Sequence, residues 1–511
     1  MGATLQKSAL SPNIRERRDF SCAVFDAERR LIAQAAHIPV HLGSMGRSVV
    51  AVTEACELAP GDAVLHNDPY HGGTHLPDLT LVSAVYLGRA RRPAYYCASR
   101  AHHADVGGAH PGSMTAVDEI HAEGLRLSPI HLVRRGALDG QVLALLLANM
   151  RDSGERRGDL LAQWAANRRG VARMAELASE QHPSILGKRS SELIEWTQRR
   201  VAALIRSLPS RTVRFADVLD PVQPGGAPVR IQVALKRAAG ELVVDFSGSD
   251  AQLGSSLNAT RAVTEAAVAY VLQLLLPPGT PINEGSRAGV RVVTPQASVV
   301  DAAYPAPVAA GNVETSQRIV DVLLGAFARW LPGQIPAASS GTMSNLSFGG
   351  AHAGRRFAYY ETIAGGAGAG PQCDGAHALH THMTNTRNTP IEEFERRFPV
   401  RITRSTVRRG SGGAGAHCGG DGVEKCFVFL APAHVAWIAE RTLSRPWGLD
   451  GGEPGAGGNA RVRLGGRSRS VAGRSKFSVA AGDVFELATP GGGGHGRAAR
   501  RRRRRGEHAR D

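Results

Sequence analysis

Cysteine is scarce in this 511-residue chain: six residues, at 22, 56, 97, 373, 418 and 426, with no CxxC pair. That excludes a zinc ribbon and a dithiol redox motif, and free thiols predict a reducing, cytoplasmic setting. The sequon "NAT" at Asn258 is then a chance match. No run of about 18 apolar residues occurs, so no helical membrane span is expected. The opening "MGATLQKSALSPNIRERRDF" has no long apolar stretch of the kind a secretory signal carries. Phosphate-cradling signatures are absent too. There is no GxxxxGK[ST], and "GGAGAG" at 365–370 runs into "PQCDG" instead of a helix. No GxSxG elbow is present. The chain is therefore expected to hold no nucleotide of its own.

Aromatic residues make up only 5%, few for stacking bases, although the net charge is +16 and the pI about 10.3. The distribution of charge also argues against a nucleic-acid partner. The tail "GRAARRRRRRGEHARD" holds eight Arg against Glu507 and Asp511 and alone supplies +6 (8 − 2) of the excess. Residues 497–511 are expected to be a disordered tail.

What the sequence does contain predicts a mixed α/β (α+β) architecture, with mixed sheets flanked by helices and Gly-rich loops. Residues 1–150 read as an α/β region, with strands in "FSCAVFD", "LTLVSAVYL" and "RPAYYCAS". Residues 151–210 read as a helical hairpin covering a sheet. Its first helix opens with Asp152 and Glu155 at capping-box spacing, and its second stops at Pro209. Residues 211–340 return to α/β texture, with a hairpin in "VRIQVALKRAAGELVVDFSGS" and a helix that Asn312 is expected to cap. Residues 341–496 form a Gly-rich β/α region. The glycines, 60 in all, are nearly twice the usual ~7% and lack a repeat, so they predict long turns and close backbone approaches.

The chemistry concentrates in two polar loops. "HNDPYHGGTHLPDLT", residues 66–80, packs three histidines and two aspartates among prolines and glycines that no helix tolerates. His75 and Asp78 lie two residues apart there. About 25 residues on, "RAHHAD" supplies His102, His103 and Asp105. Two strands fit between these loops, and adjacent strands would bring both loops to one end of a sheet. Asp19, at the head of "DFSCAVFD", could approach the same end. Imidazoles and carboxylates converging in this way suit zinc, manganese or iron(II). The alternative is a set of solvated or turn-forming loop histidines, and a lone histidine is usually that. "GAHALHTHMTNTRNTP", with His380 and His382 alternating, is explained equally well by loop packing.

Five stretches together resemble the hydantoinase B/oxoprolinase family: "SPNIRERRDFSCAVFDAERRLIAQAAHIPVHLGSM", "NDPYHGGTHLPDLTLVSAVY", "HHADVGGAHPGSM", "NMRDSGERRGDLLAQWAANRRGV" and "THMTNTRNTPIEEFE". The resemblance runs from about residue 1 to 496 and keeps the family's order. It implies a subunit that works with a hydantoinase A-type chain, in a hetero-oligomer. That partner handles ATP, which activates an amide or carbonyl oxygen, and the B-type chain completes the reaction at a divalent metal. Opening of a lactam or hydantoin ring is the usual outcome; a ketone carboxylase branch forms a C–C bond instead. Carried over by motif, the ligands are Asp19, His75, Asp78 and His102. His103 rivals His102 for its place. His103 and Asp105 are otherwise the groups for proton transfer, with Asp105 alternatively supporting a ligand.

Related chains carry a further helix before "MGATLQ" and a mixed-charge segment after "GGGGHG", so an N-terminal piece is expected to be missing and the Arg-rich end to be aberrant. A basic nucleic-acid-binding protein is the competing reading of another class. It requires salt-sensitive binding that vanishes when residues 497–511 are deleted. The enzymatic readings require activity that survives the deletion and depends on a partner.

Overall fold

The computed structural model describes residues 1–36, 38–41 and 43–498. The Arg-rich run expected to be disordered lies outside them from residue 499 onward. Among the described residues the architecture is α+β, with four sheets and helices packed against them.

The first sheet carries the site. Its strands are β1 (Phe20–Asp26), β2 (Leu31–Ala36), β3 (Ala63–His66), β4 (Asp78–Val85), β5 (Tyr95–His102), β6 (Ile130–Arg134) and β7 (Ala137–Leu138), in the order β2-β1-β5-β4-β3-β6-β7. Every neighbouring pair is antiparallel. β4 is buried along its whole length and β1 and β5 nearly so, because both faces are covered. Val49 and Val52 of the helix Met45–Ala55 pack on Phe25, Val82 and Ala98 on one face. The helix Ser153–Glu180 covers the other, with Leu160 against Leu79 and Leu81. Two amides pin that helix to the sheet: Gln163 donates to the Leu79 carbonyl (3.0 Å) and Asn167 to that of Leu81 (2.9 Å).

Asp152 caps this helix by accepting from the Glu155 amide, but only that half of the expected box forms. The Glu155 carboxylate turns to Arg156 and Arg397 instead. The second helix, Pro183–Ser207, sets Leu186 against Val85 and Tyr95 of the same sheet and sends Val201 and Ile205 into the core of the next region.

That region is a four-stranded sheet (Val213–Leu219, Val229–Ala238, Glu241–Asp245 and Val290–Val293) under the helices Arg261–Leu275 and Ser316–Trp330. Its expected hairpin turns through Ala239 and Gly240, both at positive φ (50° and 82°), the type I′ geometry that suits strand twist. Asn312 does not cap the second helix. A π turn, Gly311–Thr315, precedes it, and no side chain caps its start. The Ser316 amide reaches back five residues to the Gly311 carbonyl, the π spacing, and Gly311 lies so close to Asn258 that a Cβ there would overlap its carbonyl.

The remaining two sheets, of four and five strands, enclose a core that gathers Phe348, Phe394, Phe427, Trp437 and Phe485 from a chain poor in aromatics. Beside it the glycine runs lie backbone to backbone. The Gly413 amide donates to Gly492 (2.8 Å), Gly492 to Gly420 (2.9 Å) and Gly493 to Ala338 (2.8 Å). Here glycine is required for space: a Cβ on Gly492 would overlap the Ala367 carbonyl oxygen. Among the described residues no helix is long and apolar enough to cross a membrane.

Candidate metal centre

The loop 66–80 is locked by its own polar side chains. Asn67 donates to the carbonyls of Leu76 (2.7 Å) and Leu125 (2.9 Å) and accepts from the Leu127 amide (2.6 Å). Asp68 caps the short turn Pro69–His71 and receives His71 (2.9 Å) and Arg126 (3.1 Å). Gly72 sits at φ 98°, and a Cβ there would lie 2.5 Å from the Arg47 backbone. The buried Arg100 reinforces this turn, donating to Thr80, Ser44 and Ser48 at 2.7–2.8 Å. Two of the loop's three histidines thus have structural partners, since His66 bonds the His71 carbonyl (3.1 Å). His75 and Asp78 remain to face inward.

Strand register does the rest. Asp78 and His102 are direct partners across β4 and β5, and β1 enters beside them, the Asp19 carbonyl accepting from the His102 amide at 3.0 Å. His75 Nε2, His102 Nδ1 and Asp78 Oδ1 form a triangle with edges of 3.1, 3.2 and 3.3 Å. All three side chains are almost fully buried. Ligands about 2.0–2.1 Å from one ion stand roughly 3.0–3.4 Å apart, so the triangle is of the size a divalent metal requires. Among the described residues this is the one group of three or more His, Cys, Asp or Glu side chains close enough to hold an ion.

The tautomer of His75 already suits a ligand, whereas His102 Nδ1, which donates to Asp78, would shift its proton to Nε2 on binding an ion. The Ala309 carbonyl accepts from His75 Nδ1 (3.2 Å), which places the proton there and turns the Nε2 lone pair toward the triangle. Burial lowers the pKa of His102 to about 3, against the pull of Asp78, so its ring is neutral. Burial alone would raise Asp78, but the imidazoles of His75 and His41 and a hydrogen bond from His102 hold it well below the usual carboxylate range. Its second oxygen accepts from Thr74 (2.6 Å) and bonds His41 Nε2 (3.2 Å), whose other nitrogen meets Ser21 (3.0 Å). Tyr360 stacks on His102 at 4.5 Å.

Asp19 borders the same cavity, of about 20 Å³, together with His41, Asn312, Met343 and Tyr360. It lies outside the tight triangle. Burial raises its pKa to about 7, with Arg17 opposing and Asp78 adding to the rise: a second carboxylate short of positive charge. Two imidazoles and two carboxylates would neutralise a divalent ion in this dry setting, so the residues present fit one.

His103 and Asp105, the groups assigned to proton transfer, are not brought to the triangle. Alternation along the strand turns His103 to the opposite side from His102, where its Nε2 meets Gln163 Oε1 at 2.8 Å. Asp105 accepts from the amides of Gly107, Gly112 and Arg151 and from the Arg151 guanidinium, all at 2.9–3.0 Å, and so fixes a turn. His41, Thr74, Asn312 and Tyr360 were not singled out for the site by sequence. His41 lies within apolar "IPVHL", which reads as core.

Residues 1–498 match the family model described as Hydantoinase B/oxoprolinase. The chain is 37% identical to an uncharacterized protein of Methanocaldococcus jannaschii, over 96% of this chain and 87% of that one. It is 36% identical to 5-oxoprolinase 1 of Arabidopsis thaliana over 96% of its own length, yet spans only 40% of the plant protein. Among solved structures it is similar to the ATP-dependent caprolactamase of Pseudomonas jessenii (TM-score 0.88, 26% identity, 97% of this chain and 88% of that one). It shares a fold with a nucleotide-free acetone carboxylase (TM-score 0.89, 18% identity, 97% and 73%).

Proposed function

Since this chain belongs to the hydantoinase B/oxoprolinase family, we propose that it is the B-type component of an ATP-dependent amidohydrolase. It opens a lactam or hydantoin ring at a divalent metal, and a separate A-type chain handles ATP. The observation that carries this reading is the buried triangle of His75 Nε2, His102 Nδ1 and Asp78 Oδ1, with no edge above 3.3 Å. Asp19 is the fourth ligand, supplied from the wall of the same cavity.

A cyclic amide is a poor electrophile at neutral pH, and phosphorylating its oxygen makes the ring carbon electrophilic enough for water to add. The C–N bond then breaks with its nitrogen protonated, and phosphate is released when the resulting acyl phosphate is hydrolysed. A divalent ion held here would supply a water of lowered pKa. The protein's own share is positional. Asp78 stays ionised among its donors, His75 keeps its lone pair inward through Ala309, and Ile38, Val40, Val313 and Met343 keep bulk water out. The likeness to the caprolactamase, which acts on a cyclic amide with ATP, supports the hydrolase over the carboxylase, whose likeness is one of fold alone. A two-chain arrangement is supported by a relative in Pseudomonas sp., 29% identical over 96% of this chain, whose name makes it the B-type component of a D-/L-hydantoinase. The chain's 40% span of the plant 5-oxoprolinase accords with such a division.

The test is reconstitution. Co-purified with an A-type chain and supplied with ATP, the protein should open hydantoin or 5-oxoproline, stop when a chelator strips the complex, and recover on adding zinc or manganese. Undiminished ring opening by metal-stripped complex would overturn the reading.

A further inference from the structure

Behind His75, away from the triangle, stands a buried glutamate that neither the family motif nor the proposed chemistry uses. Glu123 is fully buried, and the groups that act on its carboxyl are backbone amides. Its Oε1 accepts from the Ala309 amide at 2.8 Å. The Val308 amide also bonds its carboxyl, and Oε2 has no partner among the described residues. The next atom group along the chain completes the path: the Ala309 carbonyl is the acceptor for His75 Nδ1, at 3.2 Å. Donation by the Ala309 amide and acceptance by its carbonyl belong to successive peptide planes, so fixing the first constrains the second. The 308–310 segment leads straight into the π turn whose Asn312 lines the metal cavity.

A carboxyl buried at this depth without a cation is costly unless it stays protonated. Burial accordingly pushes Glu123 up to about 8, so it is the neutral acid at pH 7. Protonated, it still offers Oε1 to the two amides. A core could hold residues 308–309 more cheaply with an apolar side chain and a rearranged turn. What the glutamate adds is a fixed direction for the Ala309 carbonyl.

We propose that Glu123 is the positioning residue for His75: through the 308–309 backbone it holds the Nδ1–H tautomer and so aims the Nε2 lone pair into the triangle. This rests on the reading of the triangle as a metal site, but the tautomer itself can be read without metal. Outer groups that orient a ligating histidine are typically worth about 10–100-fold in metal affinity.

The experiment uses the full chain labelled with ¹⁵N-histidine, the His75 resonances being assigned from their loss in His75→Gln. Long-range ¹H–¹⁵N spectra of the metal-free wild type should show His75 protonated at Nδ1. Glu123→Gln copies the neutral acid and keeps an acceptor for the amides. It should leave the tautomer unchanged and zinc affinity by calorimetry within about two-fold of wild type. Glu123→Leu should give mixed tautomers and a roughly 10–100-fold weaker zinc Kd. If Glu123→Leu does not fold, Glu123→Asp, which withdraws the acceptor by one methylene, carries the same expectation. A purely structural Glu123 would lower Tm and leave both tautomer and zinc Kd untouched, which overturns the proposal. If the wild type binds no zinc while the tautomer still responds to Glu123, the metal reading fails and the positioning role stands.

Discussion

Asp78 and His102 face each other as direct cross-strand partners at one end of β4 and β5, with Asp78 Oδ1 and His102 Nδ1 3.3 Å apart. The pairing uses the one regular feature of a sheet that fixes side-chain direction. His102 points to the Asp78 side, and its neighbour His103 must point the other way. Substituting the two should therefore separate two properties. His102→Gln is expected to abolish zinc or manganese binding with little loss of Tm. His103→Gln removes the buried bond to Gln163. It should cost about 1–3 kcal/mol of stability and keep the metal. Thermal denaturation alongside calorimetric titration of both variants checks this. Retained metal in His102→Gln would reassign the ligand.

The glycine cords make a prediction about space. Gly492→Ala places a methyl on the Ala367 carbonyl oxygen in a backbone-to-backbone contact. It is expected to cost roughly 3 kcal/mol or more, or to abolish soluble expression. Gly240→Ala, at an open turn with φ 82° and nothing within reach of the new methyl, should cost only about 1–2 kcal/mol. Denaturant midpoints rank the two. Equal losses would mean that the glycines serve flexibility.

Glu314 sets a pH dependence. Its Oε1 accepts from the Met343 amide (3.1 Å) and Asn345 (2.6 Å), and its Oε2 has no hydrogen-bond partner among the described residues. Burial raises its pKa to about 8, with the bonds from Thr342, Met343 and Asn345 opposing and the charge of Glu440 adding to the rise. The folded pKa lies above the unfolded value of about 4.3. This group's contribution is thus fully present below about pH 4 and is lost progressively as pH rises through 8. Glu314→Gln should remove that decline, making the variant the more stable chain at pH 8.5 relative to its own value at pH 5. Tm measured from pH 5 to 9 reads it, and parallel curves for the two proteins would contradict the assignment.

Much of the site was legible because its placement is local. Two polar loops separated by two strand-length apolar runs must meet at one sheet end if the runs pair, and Asp19 heads the strand next to them. The resemblance of the motifs then named the family that the whole-chain match bears out. His41 was not legible, since a histidine between Val40 and Leu42 reads as core until folding sets it against Asp78. Proton-transfer roles for His103 and Asp105 followed from proximity in sequence, which strand alternation and a tight turn undo. Asn312 looked like a helix cap because nothing in its neighbours announces the π turn found there or the close approach of Gly311 to Asn258. The glycine runs do form close backbone approaches, but which cords touch is a tertiary fact with no local pattern.

The central claim is that residues 66–80 exist to present a metal, and metal content per chain tests it most directly. Wild type, His75→Ala, Asp78→Ala and His71→Ala are reconstituted with zinc or manganese, desalted and measured by elemental analysis. His71 is the control: it shares the loop, is exposed, and its ring bonds Asp68 instead of facing the triangle. One ion per chain is expected in wild type and His71→Ala. His75→Ala and Asp78→Ala should keep little, because each removes one corner of the tight triangle that holds the ion, while their far-UV spectra stay near wild type. A full complement of metal in His75→Ala, or none in the wild-type chain, would contradict it and leave the loop a structural element.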